Sequence, residues 1–191
     1  FYHPAFRFSG PPRRELGIPT VFNFLGPLTN PARPAAQAIG IFDTGMLPVV
    51  AGVFAERGVS ALVFRGDDGL DELTTTTTST VWVVRDGAAR RTVFDPAALG
   101  VPRAAPDALQ GGDVAFNARA VRDLVGGKTG PVRDAVLLNA AAALVSLDGS
   151  GDDLNAAMAA GYARAGQAVD SGAAEVTLDR WIEVSQALKP S

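Results

Sequence analysis

Cysteine is absent from the 191-residue chain, and histidine occurs once, at His3. Without thiols there is no disulfide framework, no thiolate metal site and no cysteine nucleophile. Positive charge is in slight deficit, with 17 Lys and Arg against 20 Asp and Glu, a formal charge of -3 and a pI near 5.1. That balance argues against nucleic acid as a partner, because affinity for the phosphate backbone rests on clustered Lys and Arg. No apolar run approaches the ~20 residues needed to span a bilayer, so no membrane partner is expected. The opening residues Phe1-Tyr2-His3-Pro4 lack a Met and the basic region of a signal peptide. The chain is therefore expected to begin mid-protein.

What is present is ordinary for a globular protein: 47% hydrophobic and 19% charged residues, in a length that suits one good-sized domain, with or without an appended helical piece. The densest local signal is the stretch from Arg13 to Pro31. Gly17, Pro19, Gly26, Pro27 and Pro31 each restrict or release the backbone around a short apolar run. This predicts a short helix or turn after Arg13, a break near Gly17 to Pro19 and a helical turn from Val21 to Leu25. A tight bend is expected at Gly26-Pro27, where a flat ligand can approach a backbone that carries no Cβ. On local chemistry alone, a loop-rich connection between helices fits the stretch equally well.

From Ala35 the pattern becomes that of an α/β body. Ala38 to Phe42 and Ser60 to Phe64 read as buried strands, with a helix from Leu47 to Arg57 between them and Gly58 just past its end. A strand, a helix and a strand at this spacing form a right-handed βαβ unit. Val81 to Val84 and Arg91 to Phe94 flank Asp86-Gly87 as a β-hairpin. The run Thr74 to Thr78 favours extended backbone and is read as a strand edge or loop without chemistry. Asp113 is expected to cap a helix through Leu124, and Gly111-Gly112 before it follows no apolar strand, so it is no phosphate loop. Pro131 opens a helix over 132–145 with Val136, Leu137, Ala140, Ala141 and Leu144 buried and Asn139 hydrogen-bonded locally. Asp152 or Asp153 starts another helix reaching Val169, and Ala173 to Leu188 forms a last one. The small residues from Asn139 to Ala143 permit close helix packing.

The loop leaving the second strand, Arg65 to Glu72, carries Asp67, Asp68, Asp71 and Glu72. Ligands bind at the carboxyl ends of strands in open α/β sheets, and clustered carboxylates are hard oxygen donors suited to Mg²⁺. Taken alone, such a cluster is more commonly a solvated acidic turn.

Arg13-Arg14-Glu15-Leu16-Gly17, Thr20-Val21-Phe22-Asn23 and Leu25-Gly26-Pro27-Leu28-Thr29-Asn30-Pro31 follow His3-Pro4-Ala5 and precede Gly69-Leu70-Asp71-Glu72-Leu73. In this order the motifs resemble the anthranilate phosphoribosyltransferases of tryptophan biosynthesis, along essentially the whole chain. The resemblance implies an α/β fold with a mainly parallel sheet flanked by helices, a β-hairpin and a short helical lead-in. Residues 1–34 would belong to the family's helical domain and hinge, and residues 35–191 to its phosphoribosyltransferase domain. It further implies that Arg13 holds the anthranilate carboxylate, that the ring lies against Gly26 and Pro27, and that His3 borders the channel. On spacing alone His3 reads as an ordinary capping or packing residue. Asp71 and Glu72 would hold the Mg²⁺ that accompanies phosphoribosyl pyrophosphate. No catalytic base is assigned. The family's N-terminal helices and glycine-rich pyrophosphate loop have no counterpart here, so this chain alone is expected to be inactive, and the full-length cytoplasmic enzyme to be a homodimer. A related pyrimidine nucleoside phosphorylase and a non-catalytic nucleic-acid-binding relative are the competing readings. The Arg13 to Pro31 signature and the Asp71-Glu72 pair count against the first, and the acidic charge counts against the second.

Overall fold

The computed structural model describes residues 3–189. A 3-10 turn, Pro4–Ser9, leads into helices α1 (Gly10–Leu16) and α2 (Phe22–Leu28). Then follow β1 (Ala36–Gly40), α3 (Met46–Glu56), β2 (Ser60–Gly66) and the hairpin β3 (Ser79–Arg85) and β4 (Ala88–Phe94). After a second 3-10 turn the chain is helical: α4 (Val114–Val125), α5 (Pro131–Asp148), α6 (Leu154–Asp170) and α7 (Ala173–Ala187).

The α/β class is as expected, and the sheet is mixed, in the order β1-β2-β3-β4. β1 pairs parallel with β2, as a strand-helix-strand unit requires, while β2 with β3 and β3 with β4 are antiparallel. The hairpin turns at Asp86 (φ 51) and Gly87 (φ 75), the paired positive φ values that match a two-residue turn to strand twist. Alternation along β2 sorts the core into two faces. Ala61 and Val63 pack with Val50, Phe54 and Val84 under α3, whereas Leu62 and Phe64 pack with Leu138, Ala142 and Met158 under α5 and α6.

Local signals account for most boundaries. Gly58 (φ +67) follows the end of α3 as expected, because only glycine takes that left-handed conformation without strain. Asp113 accepts from the Phe116 N–H, and Asp153 from the N–H groups of Asn155 and Ala156, so both cap their helices. Close packing of α5 on α6 is also as expected: a Cβ added at Gly161 would lie 3.1 Å from the Ala141 carbonyl oxygen.

Three expectations are corrected. β1 is displaced two residues towards the N-terminus of the run Ala38 to Phe42. It ends at Gly40, against which the Asp71 main chain lies, although the Ile41 N–H still bonds the Phe64 carbonyl at 2.9 Å, and Phe42 stacks on Phe24 at 5.3 Å. The bend at Gly26-Pro27 is absent, since α2 continues through both residues to Leu28; Pro27 offers no N–H to the Asn23 carbonyl, and the helix ends one residue later. On α5 Leu137 and Ala141 are buried as expected, but the buried face is wider and also takes in Ala135, Leu138, Ala142 and Val145, while Val136 is 44% exposed. Because the sheet and α6 both cover α5, Ala140 and Leu144 pack only partly, against the Leu137, Ala165 and Val169 cluster.

Candidate functional site

The first candidate residues gather around α1 and α2. The left-handed Gly17 (φ 63) ends α1 and lets the chain reverse towards α2. Asn23 Oδ1 then accepts from the Thr20 N–H at 2.9 Å and from Arg13 Nη2 at 3.4 Å, tying the two helices together. The Arg13 guanidinium stands 5.7 Å from the Phe22 ring centroid. Phe22 meets Phe6 edge-on at 5.6 Å, and Phe6 stacks on His3 at 4.9 Å. A row of three rings thus connects His3 to Arg13.

The expected aromatic-acid residues divide between two concavities. Arg13 lines an open depression of about 440 Å³ with Arg14, Gly17, Pro19 and Asn23. His3 and Pro27 border a different one of about 850 Å³, together with Thr29, Arg33 and Arg57. His3 Nε2 donates to the Thr29 carbonyl at 2.7 Å, which holds the ring across the mouth of the second space. Gly26 is exposed, and apart from its own helix no heavy atom of the described residues comes within 4 Å of where its Cβ would stand.

The acidic loop after β2 separates its carboxylates into two kinds. Asp68 Oδ2 accepts from Thr74 Oγ1 at 2.5 Å and from Thr76 Oγ1, and Asp67 accepts from Thr78 and Thr80. Burial pushes the Asp68 carboxyl up, but the Thr74 and Thr76 hydroxyls and the Leu70 N–H outweigh it and hold it below its ordinary value. Asp71 and Glu72 are exposed and form no ion pair or side-chain hydrogen bond among the described residues. The threonine run, read from sequence as lacking chemistry, is therefore what binds Asp67 and Asp68 and leaves the next pair available. Thr74 and Thr75 are fully buried, a placement that β-propensity alone does not foretell.

The loop is gripped within the pair and just after it. A Cβ at Gly40 would fall 1.4 Å from the Asp71 carbonyl oxygen, so β1 and the loop touch through bare backbone. Asn139 Oδ1 accepts from the Leu73 N–H at 3.0 Å, while its Nδ2 donates to the Leu73 and Ala135 carbonyls at 3.0 Å. The expected local bond of Asn139 is the one to Ala135; the two to Leu73 span 66 residues and carry no sequence signal. No group of three or more His, Cys, Asp or Glu is placed to hold a metal among the described residues. Two carboxylates without protein partners among the described residues nonetheless suit Mg²⁺, which completes its octahedral shell with water and substrate phosphate.

Comparison with known proteins places the chain. The sequence model of the glycosyl transferase family, a/b domain, matches residues 1–175. An anthranilate phosphoribosyltransferase of Thermobifida fusca is 66% identical over 186 residues, covering 97% of this chain and 53% of that protein. The crystal structure of anthranilate phosphoribosyltransferase from Thermus thermophilus superposes with a TM-score of 0.83 at 36% identity, over 95% of this chain and 52% of that one. The Saccharomyces cerevisiae enzyme, solved in complex with PRPP and Mg, gives a TM-score of 0.82 at 26% identity, over 92% of this chain and 50% of that one. The same yeast enzyme is also known in complex with 4-fluoroanthranilate, with a TM-score of 0.80. The chain spans about half the length of the relatives it matches. With its sequence model matching residues 1–175, the chain belongs to the glycosyl transferase family, a/b domain.

Proposed function

We propose that this chain is part of an enzyme that joins the amine of anthranilate to C1 of phosphoribosyl pyrophosphate, releasing pyrophosphate, in the cytoplasmic synthesis of tryptophan. The observation that carries the reading is the loop on which Asp67 and Asp68 are consumed by threonines while Asp71 and Glu72 stay unpaired among the described residues. The yeast relative's complexes with PRPP and Mg and with 4-fluoroanthranilate support the ligand classes.

Each residue then has a chemical task. An arylamine is neutral at pH 7, so its lone pair attacks without a strong general base, in keeping with the lack of any assigned base. Arg13 pairs its planar fork with the anthranilate carboxylate, and the Phe22 ring and Asn23 behind it limit the directions the guanidinium takes. Gly26 and Pro27 offer main chain to the ring, and His3 borders the neighbouring concavity, which the Phe6 and Phe22 rings join to Arg13. Asp71 and Glu72 hold Mg²⁺, which when bound neutralises charge developing on the leaving pyrophosphate. Orientation and charge stabilisation supply the rate.

In this reading residues 1–34 belong to the helical domain and hinge, residues 35–191 to the phosphoribosyltransferase domain, and the full-length enzyme is a homodimer. The remaining substrate-binding wall belongs to the part of the relatives outside the matched span. The purified 191-residue chain, assayed for loss of anthranilate fluorescence with PRPP and Mg²⁺, is expected to show no turnover. The complete enzyme is expected to turn over and to lose activity in Asp71→Asn and Glu72→Gln. Turnover by the isolated chain would refute its expected inactivity alone, and full activity in the two variants would refute the metal role of Asp71 and Glu72.

A further inference from the structure

We propose that Asn139 is a positioning residue for the acidic pair: its carboxamide fixes the main-chain geometry on which Asp71 and Glu72 face a divalent cation. This rests on the metal reading of that pair given above. Between the end of β2 at Gly66 and the start of β3 at Ser79 no helix or strand ladder holds the chain. Main-chain groups there depend on individual partners. Leu73, the residue directly after Glu72, has its N–H and its C=O both bound by the Asn139 side chain, at 3.0 Å each. One planar amide thus grips the residue as a neighbouring strand would. A third bond, from Nδ2 to the Ala135 carbonyl one turn back in α5, sets which way the amide faces.

Leu73 is also anchored through its side chain, which is 2% exposed and packed in the α5 and α6 core with Leu138 and Ala142. Within the pair itself, the Asp71 carbonyl lies where Gly40 has no Cβ. The chain is therefore held at Asp71 and again at Leu73, leaving the Glu72 unit between two fixed points. Only Asn or a residue with the same donor and acceptor pair meets both groups of Leu73; Ala would leave a buried donor and acceptor unpaired. Outer groups that orient the ligands of a metal typically change its affinity about 10- to 100-fold when removed.

Mn²⁺ is the probe, followed by its paramagnetic resonance and by the broadening it causes in amide NMR signals of the 191-residue chain. Wild type is expected to bind Mn²⁺ in a manner lost in Asp71→Asn and Glu72→Gln, and bound Mn²⁺ is expected to broaden the Asn139 side-chain NH2 signals. Asn139→Ala is expected to weaken binding at least about tenfold. Val145→Ala, which thins the same helix's core without touching the loop, is expected to lower thermal stability and leave Mn²⁺ affinity unchanged. Asn139→Asp keeps the acceptor for the Leu73 N–H but neither donated bond, and gives an intermediate loss if the alanine variant does not fold. Hydrogen exchange in wild type needs no variant: saturating Mg²⁺ is expected to slow exchange at the Leu73 amide. Mn²⁺ affinity of a folded Asn139 variant within twofold of wild type, or Leu73 exchange indifferent to Mg²⁺, would overturn the positioning role alone. Failure of wild type to bind Mn²⁺ through Asp71 and Glu72 would instead overturn the metal reading, and the positioning role with it.

Discussion

Gly40 and Asp71 meet backbone to backbone: a methyl group on Gly40 would lie 1.4 Å from the Asp71 carbonyl oxygen. No side-chain rotation relieves such an overlap, because the obstacle is main chain. The last residue of β1 thereby sets how near the acidic loop comes to the sheet.

Gly40→Ala is accordingly expected to force the loop outwards and to destabilise the protein by about 1–3 kcal/mol, the usual cost of overpacking. At roughly 2–4 °C per kcal/mol for a chain of this size, calorimetry would register the shift clearly. A variant with an unchanged melting temperature would mean that the loop does not rest on Gly40.

Arg13→Ala in the complete enzyme is expected to raise the KM for anthranilate roughly 10- to 100-fold, the value of a lost charge-assisted hydrogen bond. The KM for phosphoribosyl pyrophosphate should change little. Arg13→Lys should recover only part of the loss, since a point charge does not reproduce the fork. Steady-state kinetics with each substrate varied in turn would check this, and an unchanged anthranilate KM would remove the role given to Arg13.

The Asp68 carboxyl titrates below its ordinary value of 3.8 in the folded state. A carboxyl with a lowered folded pKa adds stability above its unfolded pKa and surrenders it as pH falls through the folded value. Urea midpoints should therefore decline in acid below about pH 4, and Asp68→Asn should flatten that part of the decline. Equal acid slopes in the two proteins would show that Thr74 and Thr76 do not favour the ionised form.

Tyr162 behaves in the opposite sense. Burial, then the hydrogen bond to Asp134 at 3.0 Å and its negative charge, push the phenol up to about 12, with Arg133 opposing. A raised folded pKa contributes stability that is intact below the unfolded value near 10 and disappears as pH climbs towards 12. Absorbance titration should find one late-ionising tyrosine, absent in Tyr162→Phe.

Core substitutions on α5 test its orientation. Leu138→Ala, at a wholly buried position, is expected to cost about 2–5 kcal/mol, whereas the half-exposed Val136 should lose under about 1 kcal/mol on the same change. Chemical denaturation of both variants would distinguish this facing from the one that hydrophobic spacing suggests.

Much of the fold was legible in the chain because its signals are local. Asp86-Gly87 turns the hairpin, Asp113 and Asp153 cap helices, and Gly58 follows the end of α3, each through bonds or dihedrals within a few residues. The spacing of apolar residues found only part of the buried face of α5, where two neighbours cover the helix and the buried stripe widens to include Ala135, Leu138, Ala142 and Val145. The expected bend at Gly26-Pro27 is likewise absent, because α2 runs through both residues and ends at Leu28. The acidic loop shows the limit most clearly. Its motif singles out Asp71 and Glu72 by resemblance, but nothing in the local chemistry of four similar carboxylates and a threonine run says that the threonines bind the other two.

The sequence by itself determined the family, the strand-helix-strand unit, the hairpin and the residues available for chemistry, because motif identity and short-range backbone preference reside in neighbouring residues. Only the tertiary structure decided that Asp67 and Asp68 are tied to threonines while Asp71 and Glu72 have no partner among the described residues. Only it decided that Asn139, 66 residues beyond Leu73, grips the backbone beside them. Hydrogen bonds and steric contacts between distant segments exist only once the core has brought those segments together, and no local preference encodes them.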